Sequence, residues 1–287
     1  MRIVTIVDNI SAASAQPSRL VKILNRPDRH FVAEQGLSIM VENENGQRVL
    51  VDTGSTEMVF LNNLRLLDLE PKDIHAVVIT HGHYDHCGAL VPFIEAGVPI
   101  YAHPKTFSGK RYSTAGESRV DISPPQKVLD ALSKAKLIHS PQGVEILPGI
   151  RTSGEIPRTN DFEHTMNFLR EEEGKVVEDP IIDEQALIVS TKKGLVVIAG
   201  CSHPGIVNIV THAKKSTPGA RMHMVIGGFH MASASQERIR KTMEQLKNLG
   251  VDRIAPLHCS GFEATKMISD RFVGFELMPA GSEIELI

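Results

Sequence analysis

Four side chains that bind metals well fall within six residues in His81-Gly82-His83-Tyr84-Asp85-His86, directly after the apolar run Ala76-Val77-Val78-Ile79-Thr80. Imidazole and carboxylate are ligands for zinc, iron and manganese, and a short β-rich run giving way to a helical pattern puts them at a strand end. In extended chain, residues two apart face the same side, so His81 and His83 are expected to grip one ion. Asp85 and His86 fall in the first turn of the helix that follows through Ala89 to Glu95, and point elsewhere, toward a second ion. A solvated His-rich loop would explain none of this spacing.

The same layout of strand, His-bearing turn and helix recurs three times. His203 lies in Gly200-Cys201-Ser202-His203-Pro204-Gly205 after an apolar run over 195–199, His230 in Gly227-Gly228-Phe229-His230 after 222–226, and His258 in Leu257-His258-Cys259-Ser260-Gly261 after 253–256. Any one of these histidines alone is more often structural, satisfying a backbone carbonyl. Together at strand ends they read differently, because loops leaving one edge of a sheet with helices outside converge on one site. The expectation is that His81, His83, His86, His203, His230 and His258 meet in space.

The elements that must position them are legible in outline. Residues 2–7 alternate as a strand buried on both faces. Strands over 37–42 and 48–51 flank Asn45-Gly46, a hairpin signal, and the second ends in Val51-Asp52-Thr53-Gly54. There Asp52 is either a turn former or a group that orients a ligand. Residues 58–69 carry helical periodicity, 99–102 a strand ending at an isolated His103 read as structural, and 186–190 with 195–199 a strand pair. Three polar stretches, near 11–30, 105–127 and 159–179, read as lid-like insertions or walls of an active site.

Composition bounds the rest. With 287 residues, 41% hydrophobic and 23% charged, the chain has the balance of a globular protein and reads as one domain over 1–287. A net charge of -3 and a pI near 6.5 leave no electrostatic footprint for nucleic acid or an anionic membrane. No apolar run nears the roughly 18 residues of a membrane span. An acidic residue at position 8 comes too early for the apolar core of a signal peptide, so a cytoplasmic setting is expected. Three widely spaced cysteines without a CxxC pair argue against a disulfide framework.

The HxHxDH stretch after an apolar strand, with Val51-Asp52-Thr53-Gly54 before it, resembles the metallo-β-lactamase superfamily. Further stretches, Ala33-Glu34-Gln35-Gly36-Leu37-Ser38, Ser153-Gly154-Glu155-Ile156-Pro157-Arg158 and the three His-bearing turns, resemble one branch of it. That branch includes the 7,8-dihydropterin-6-methyl-4-(β-D-ribofuranosyl)aminobenzene 5'-phosphate synthase family and hydrolase-like relatives. The resemblance spans nearly the whole chain and implies an α/β fold: an αββα sandwich of two mixed β-sheets with metals at one edge. It implies up to two metals, zinc first with iron or manganese as alternatives. His81 and His83 would serve one ion, and Asp85, His86 and His258 the other. The chain departs from the family twice. Glu155 stands in the turn that usually carries a third histidine, and Cys201 stands where a bridging Asp is usual. His203, two residues on, is the candidate to replace the missing histidine, with Cys201 and Glu155 as lesser ligand candidates.

Two ions held about 3.5–4 Å apart lower the pKa of a water toward neutrality and polarise a carbonyl or phosphoryl oxygen, and Asp85 is placed to handle the proton. Arg158 suits a carboxylate or phosphate, and His230 is the second candidate substrate contact. The first expectation is therefore a metal-dependent hydrolase acting on a small ester, lactone or phosphate. The alternative is a transferase that condenses a dihydropterin diphosphate with an aminobenzene ribofuranosyl phosphate, releasing pyrophosphate. A redox or purely metal-binding protein is the weakest expectation: redox chemistry would call for iron and a flavin domain, for which a sandwich filling 287 residues leaves no room.

Overall fold

The structure, a computed structural model, describes residues 1–25, 28–115, 118–164 and 167–286. Two mixed sheets carry the fold. The larger has eight strands in the order Val21–Ile23, Ser282–Glu285, Arg2–Val7, Ser38–Glu42, Arg48–Val51, Ala76–Val78, Pro99–Ala102 and Lys136–His139. The smaller has six, in the order Glu145–Leu147, Ile150–Thr152, Leu187–Thr191, Gly194–Ala199, Met222–Gly228 and Arg253–Leu257.

Period-two alternation within these strands builds the layers. Ile39 and Val41 enter the core between the sheets while Met40, between them in sequence, packs outward. In the other sheet Val196 and Ile198 face the same inner core while Leu195 and Val197 face the outer helices. Helices Glu57–Arg65 and Val91–Glu95 cover the larger sheet, and Ile206–Ser216, Gln236–Asn248 and Phe262–Arg271 the smaller, completing the αββα order. Helix Gln236–Asn248 shows how local sequence does this. The Ser235 side chain accepts from Arg238 N at its start, and Ile239, Thr242, Met243 and Leu246 bury one face at helical spacing.

The periodic stretch 58–69 is helical only over Glu57–Arg65, because Asp68 turns left-handed at φ 58° and Leu69 N bonds back to Leu64 O. The three stretches read as lid-like insertions carry regular structure. Within 11–30, Val21–Ile23 adds an edge strand to Ser282–Glu285. Stretches 105–127 and 159–179 join each other in a third sheet of four strands, ordered Lys175–Glu178, Phe168–Glu172, Arg111–Ser113 and Val120–Asp121. Two consecutive left-handed residues, Glu173 at 52° and Gly174 at 77°, close the hairpin between Phe168–Glu172 and the edge strand Lys175–Glu178. The pairing of Tyr112 with Leu169 is non-local, which hides it from a local reading of polar sequence. Residues 26–27, 116–117 and 165–166 of these stretches lie outside the described residues.

Parallel pairing decides where the chemistry goes. Arg48–Val51 pairs in parallel with Ala76–Val78, and Gly194–Ala199, Met222–Gly228 and Arg253–Leu257 run parallel in turn. Their carboxyl ends lie along one edge of the sandwich, so the turns that leave them gather there. No described helix is long and apolar enough to cross a membrane.

Candidate metal centre

The turn after Ala76–Val78 is built on Asp52, a fully buried residue at the end of the neighbouring strand. Asp52 Oδ1 accepts from Thr80 N at 2.7 Å, and Oδ2 accepts from Thr80 Oγ1 at 2.7 Å and lies 2.7 Å from His86 Nδ1. Holding His86 by Nδ1 turns its Nε2 toward the centre, 3.1 Å from Cys201 Sγ. Thr80 Oγ1 lies 3.0 Å from His81 Nδ1, so Asp52 orients both histidines. Gly82 N donates to Asp183 Oδ2 at 2.9 Å, and Asp183 Oδ1 takes Arg111 Nη1 at 2.9 Å, tying the turn to the third sheet. A Cβ on Gly82 would fall 1.8 Å from the Thr106 carbonyl oxygen, a backbone atom that cannot swing aside. Gly82→Ala is therefore expected to cost about 1–3 kcal/mol through overpacking, read as a lowered thermal midpoint in the metal-free protein.

The other ligand-bearing turns are fixed by buried acids. Glu184 accepts from Ser202 N at 2.5 Å and His203 N at 2.6 Å, setting the turn that carries Cys201 and His203. Asp8 accepts from His258 N at 2.7 Å, and Asn9 Oδ1 lies 2.8 Å from His258 Nδ1, which leaves His258 Nε2 3.5 Å from Asp85 Oδ2. Burial pushes both Asp8 and Glu184 up to about 7.

These supports bring together the side chains singled out from sequence. Ligand atoms of His81, His83 and His203 lie within 4.8 Å of one another, as do those of Asp85, His86 and His258. His81 Nε2 is 3.0 Å from His83 Nδ1. The groups fit a cation. Burial first, then neighbouring cationic groups, push His81, His83 and His203 well below the ordinary histidine value, so their nitrogen lone pairs are available at neutral pH. His83 Nε2 is buried and has no hydrogen-bond partner among the described residues. Burial also lowers His86, but the Asp52 and Asp85 carboxylates outweigh it and raise the group to about 9. A ring that attracts protons this strongly beside two carboxylates equally favours a metal ion in the proton's place.

Two candidates stand apart. Glu155 is exposed and pairs with His103, its Oε1 2.8 Å from His103 Nε2, and it joins none of the ligand groups. The turn that carries it leaves the carboxyl end of Ile150–Thr152, on the same edge as the ligand-bearing turns, but it pairs with Pro141 and Gln142. Arg158, also exposed, donates from Nη2 to the Pro180 carbonyl and does not line the cavity. His230 does line it, in a left-handed conformation with φ 46°. Sequence reasoning missed Asp8, Asn9, Glu184, Cys259 and Phe168. The Asp8 signal was present, an acid at a strand end like Asp52, as was the paired Asp183-Glu184 ahead of a strand.

The centre floors an open cavity of about 640 Å³. Its walls include Tyr84, Ile122 and Phe168, the last from the third sheet and stacked on His83 with centroids 5.6 Å apart and planes 27° apart. Among the described residues that line it there is no Lys or Arg.

Comparison with known proteins agrees with this geometry. Residues 32–156 match the metallo-β-lactamase superfamily. The chain is 36% identical over 268 residues to 7,8-dihydropterin-6-methyl-4-(β-D-ribofuranosyl)-aminobenzene-5'-phosphate synthase of Methanocaldococcus jannaschii, covering 89% of this chain and 91% of that protein. A second, uncharacterised M. jannaschii protein is 33% identical over 255 residues, 87% of this chain and 94% of its own. The crystal structure of Tm1679, described as a metal-dependent hydrolase of the β-lactamase superfamily, superposes with a TM-score of 0.82 at 31% identity, covering 100% of this chain and 99% of that one. The chain belongs to the metallo-β-lactamase superfamily.

Proposed function

We propose that this protein is a metal-dependent enzyme that cleaves an ester, lactone or phosphate linkage in a small, ring-bearing molecule. The observation that carries the reading is the pair of separate ligand triads, His81/His83/His203 and Asp85/His86/His258, at the floor of one open cavity. Mixed imidazole and carboxylate donors suit zinc, with iron or manganese as alternatives, one ion to each triad. When bound, such ions supply an electrophile for a substrate oxygen and acidify a water.

The protein's own groups do the rest. Asp85, with Oδ1 3.9 Å from His86 Nε2 and Oδ2 3.5 Å from His258 Nε2, is placed to take or hold the proton of the attacking water. His230 stands on the cavity wall within reach of a substrate's polar edge. Phe168 and Tyr84 exclude water and offer flat apolar surface to a ring. Phe168→Ala is expected to raise KM for an aromatic substrate about 3- to 10-fold, the worth of one ring–ring contact, with kcat little changed in steady-state assays.

A second reading, condensation of a dihydropterin diphosphate with an aminobenzene ribofuranosyl phosphate, is favoured by the 36% identity to the M. jannaschii synthase over 89% of the chain. One assay separates the two. Metal-loaded protein is given a panel of esters, lactones and phosphodiesters, and separately the pterin diphosphate with and without the aminobenzene partner. Product from single substrates, lost with chelator, supports the hydrolase; pyrophosphate released only when both partners are present supports the synthase. No turnover in any arm by metal-loaded protein overturns both.

A further inference from the structure

Beyond the two triads, a third set of ligand atoms lies in the same cavity. We propose that Cys201, His230 and Cys259 form a third cation position, rich in thiolate and suited to thiophilic ions such as Zn²⁺ or Cd²⁺. Their donor atoms lie within 4.8 Å of one another, and none of the three residues belongs to either triad described above. Two thiolates and one imidazole are a donor set that zinc takes up, with a fourth coordination place left for an outside ligand. All three residues line the cavity, so that fourth place opens on it.

The backbone is arranged to let the two sulfurs meet. Cys201, His230 and Cys259 follow three successive parallel strands, Gly194–Ala199, Met222–Gly228 and Arg253–Leu257. Adjacent strands run about 4.8 Å apart, so residues two strands apart ordinarily stand about 10 Å apart with a side chain between them. Here the middle strand ends in Gly227-Gly228. A Cβ on Gly228 would fall 2.6 Å from Cys259 Sγ and 3.3 Å from Cys201 Cα. The Cys259 sulfur occupies the space that a side chain would fill and reaches within 3.4 Å of the Cys201 carbonyl oxygen. The His230 side chain interacts with Cys259, and its Nδ1 is buried with no hydrogen-bond partner among the described residues. The three positions also adjoin. His81, His86 and Cys201, one residue from each set, have ligand atoms within 4.8 Å of one another.

The test uses full-length protein in which His83→Ala and Asp85→Ala disable both histidine-containing triads, so its outcome does not depend on how those triads are read. Stripped of metal, reduced and titrated with Cd²⁺, this variant is expected to keep one tight equivalent with sulfur-to-cadmium charge-transfer absorption. Adding Cys259→Ser should weaken that equivalent at least about 100-fold and lower the absorption. Gly228→Ala, which removes no donor, should weaken it as well. In the otherwise native protein, Cys259→Ser should lose one equivalent by elemental analysis, a readout that stands even if the multiple variant folds poorly. Absence of thiolate absorption on Cd²⁺ binding, or equal binding and absorption after Cys259→Ser, overturns the proposal. So does a Cys201–Cys259 disulfide that persists with reductant and Cd²⁺ present.

Discussion

The His83→Ala/Asp85→Ala protein is expected to hold two fewer equivalents of zinc than the native protein and to lose turnover by at least about 10³-fold. The change takes one ligand from each triad, leaving His81 with His203 and His86 with His258. Two-ligand remnants hold a divalent ion far more weakly than three, so the loss should exceed the 10–100-fold that follows removal of a merely supporting group. On the proposed hydrolytic reading the loss of Asp85 adds a second deficit, because it is the carboxylate placed to take the water's proton. Elemental analysis after metal removal and reconstitution, with far-UV circular dichroism to verify the fold, reads the result. Full occupancy in the double variant would remove these residues from the metal site.

Asp52→Ala should have the next largest effect although Asp52 belongs to neither triad. Its carboxylate is fully buried and satisfies Thr80 N, Thr80 Oγ1 and His86 Nδ1 together. Deleting it leaves those groups without their partner, a loss of about 3–5 kcal/mol for a broken buried ion pair. Metal affinity should fall about 10- to 100-fold as His86 and His81 lose their fixed orientation. The pH dependence has a definite sign in the metal-free protein. His86 is raised from 6.5 to about 9 in the folded state, so its contribution to stability is complete below 6.5 and disappears as pH rises through about 9. The stability difference between native protein and Asp52→Ala, followed by denaturant unfolding, should therefore shrink on going from pH 6 to pH 10. A difference that stays constant or grows would mean that Asp52 does not hold His86 in its charged form.

Sequence and structure divide the site along lines set by the range of the forces involved. His81, His83, Asp85 and His86 were legible as a unit because they sit within six residues on a strand-to-helix turn, where backbone geometry alone dictates which side chains can share a target. The repeated strand, turn and helix passages made His203 and His258 legible too, since a parallel strand must send its turn to the same edge as its neighbours. For Arg158 the local pattern gives only an arginine on a turn, suited to an anion; its donation to the Pro180 carbonyl, outside the cavity lining, comes from the tertiary fold.

Local pattern marked most of the strands and helices, their apolar faces and the convergence of the histidine-bearing turns, because burial imposes period two on strands and 3.6 on helices wherever they pack. The layered αββα arrangement came from the family resemblance of the motifs. Tertiary structure alone decided which buried acids serve as supports, since Asp52 with His86, Asp8 with His258 and Glu184 with His203 are partners far apart in sequence. It alone decided that 105–127 and 159–179 pair as a sheet and bring Phe168 onto His83. It also decided that Cys201 and Cys259 meet across Gly228. Contacts of this kind depend on register between non-adjacent strands and on the space left by an absent side chain, and no local periodicity records either.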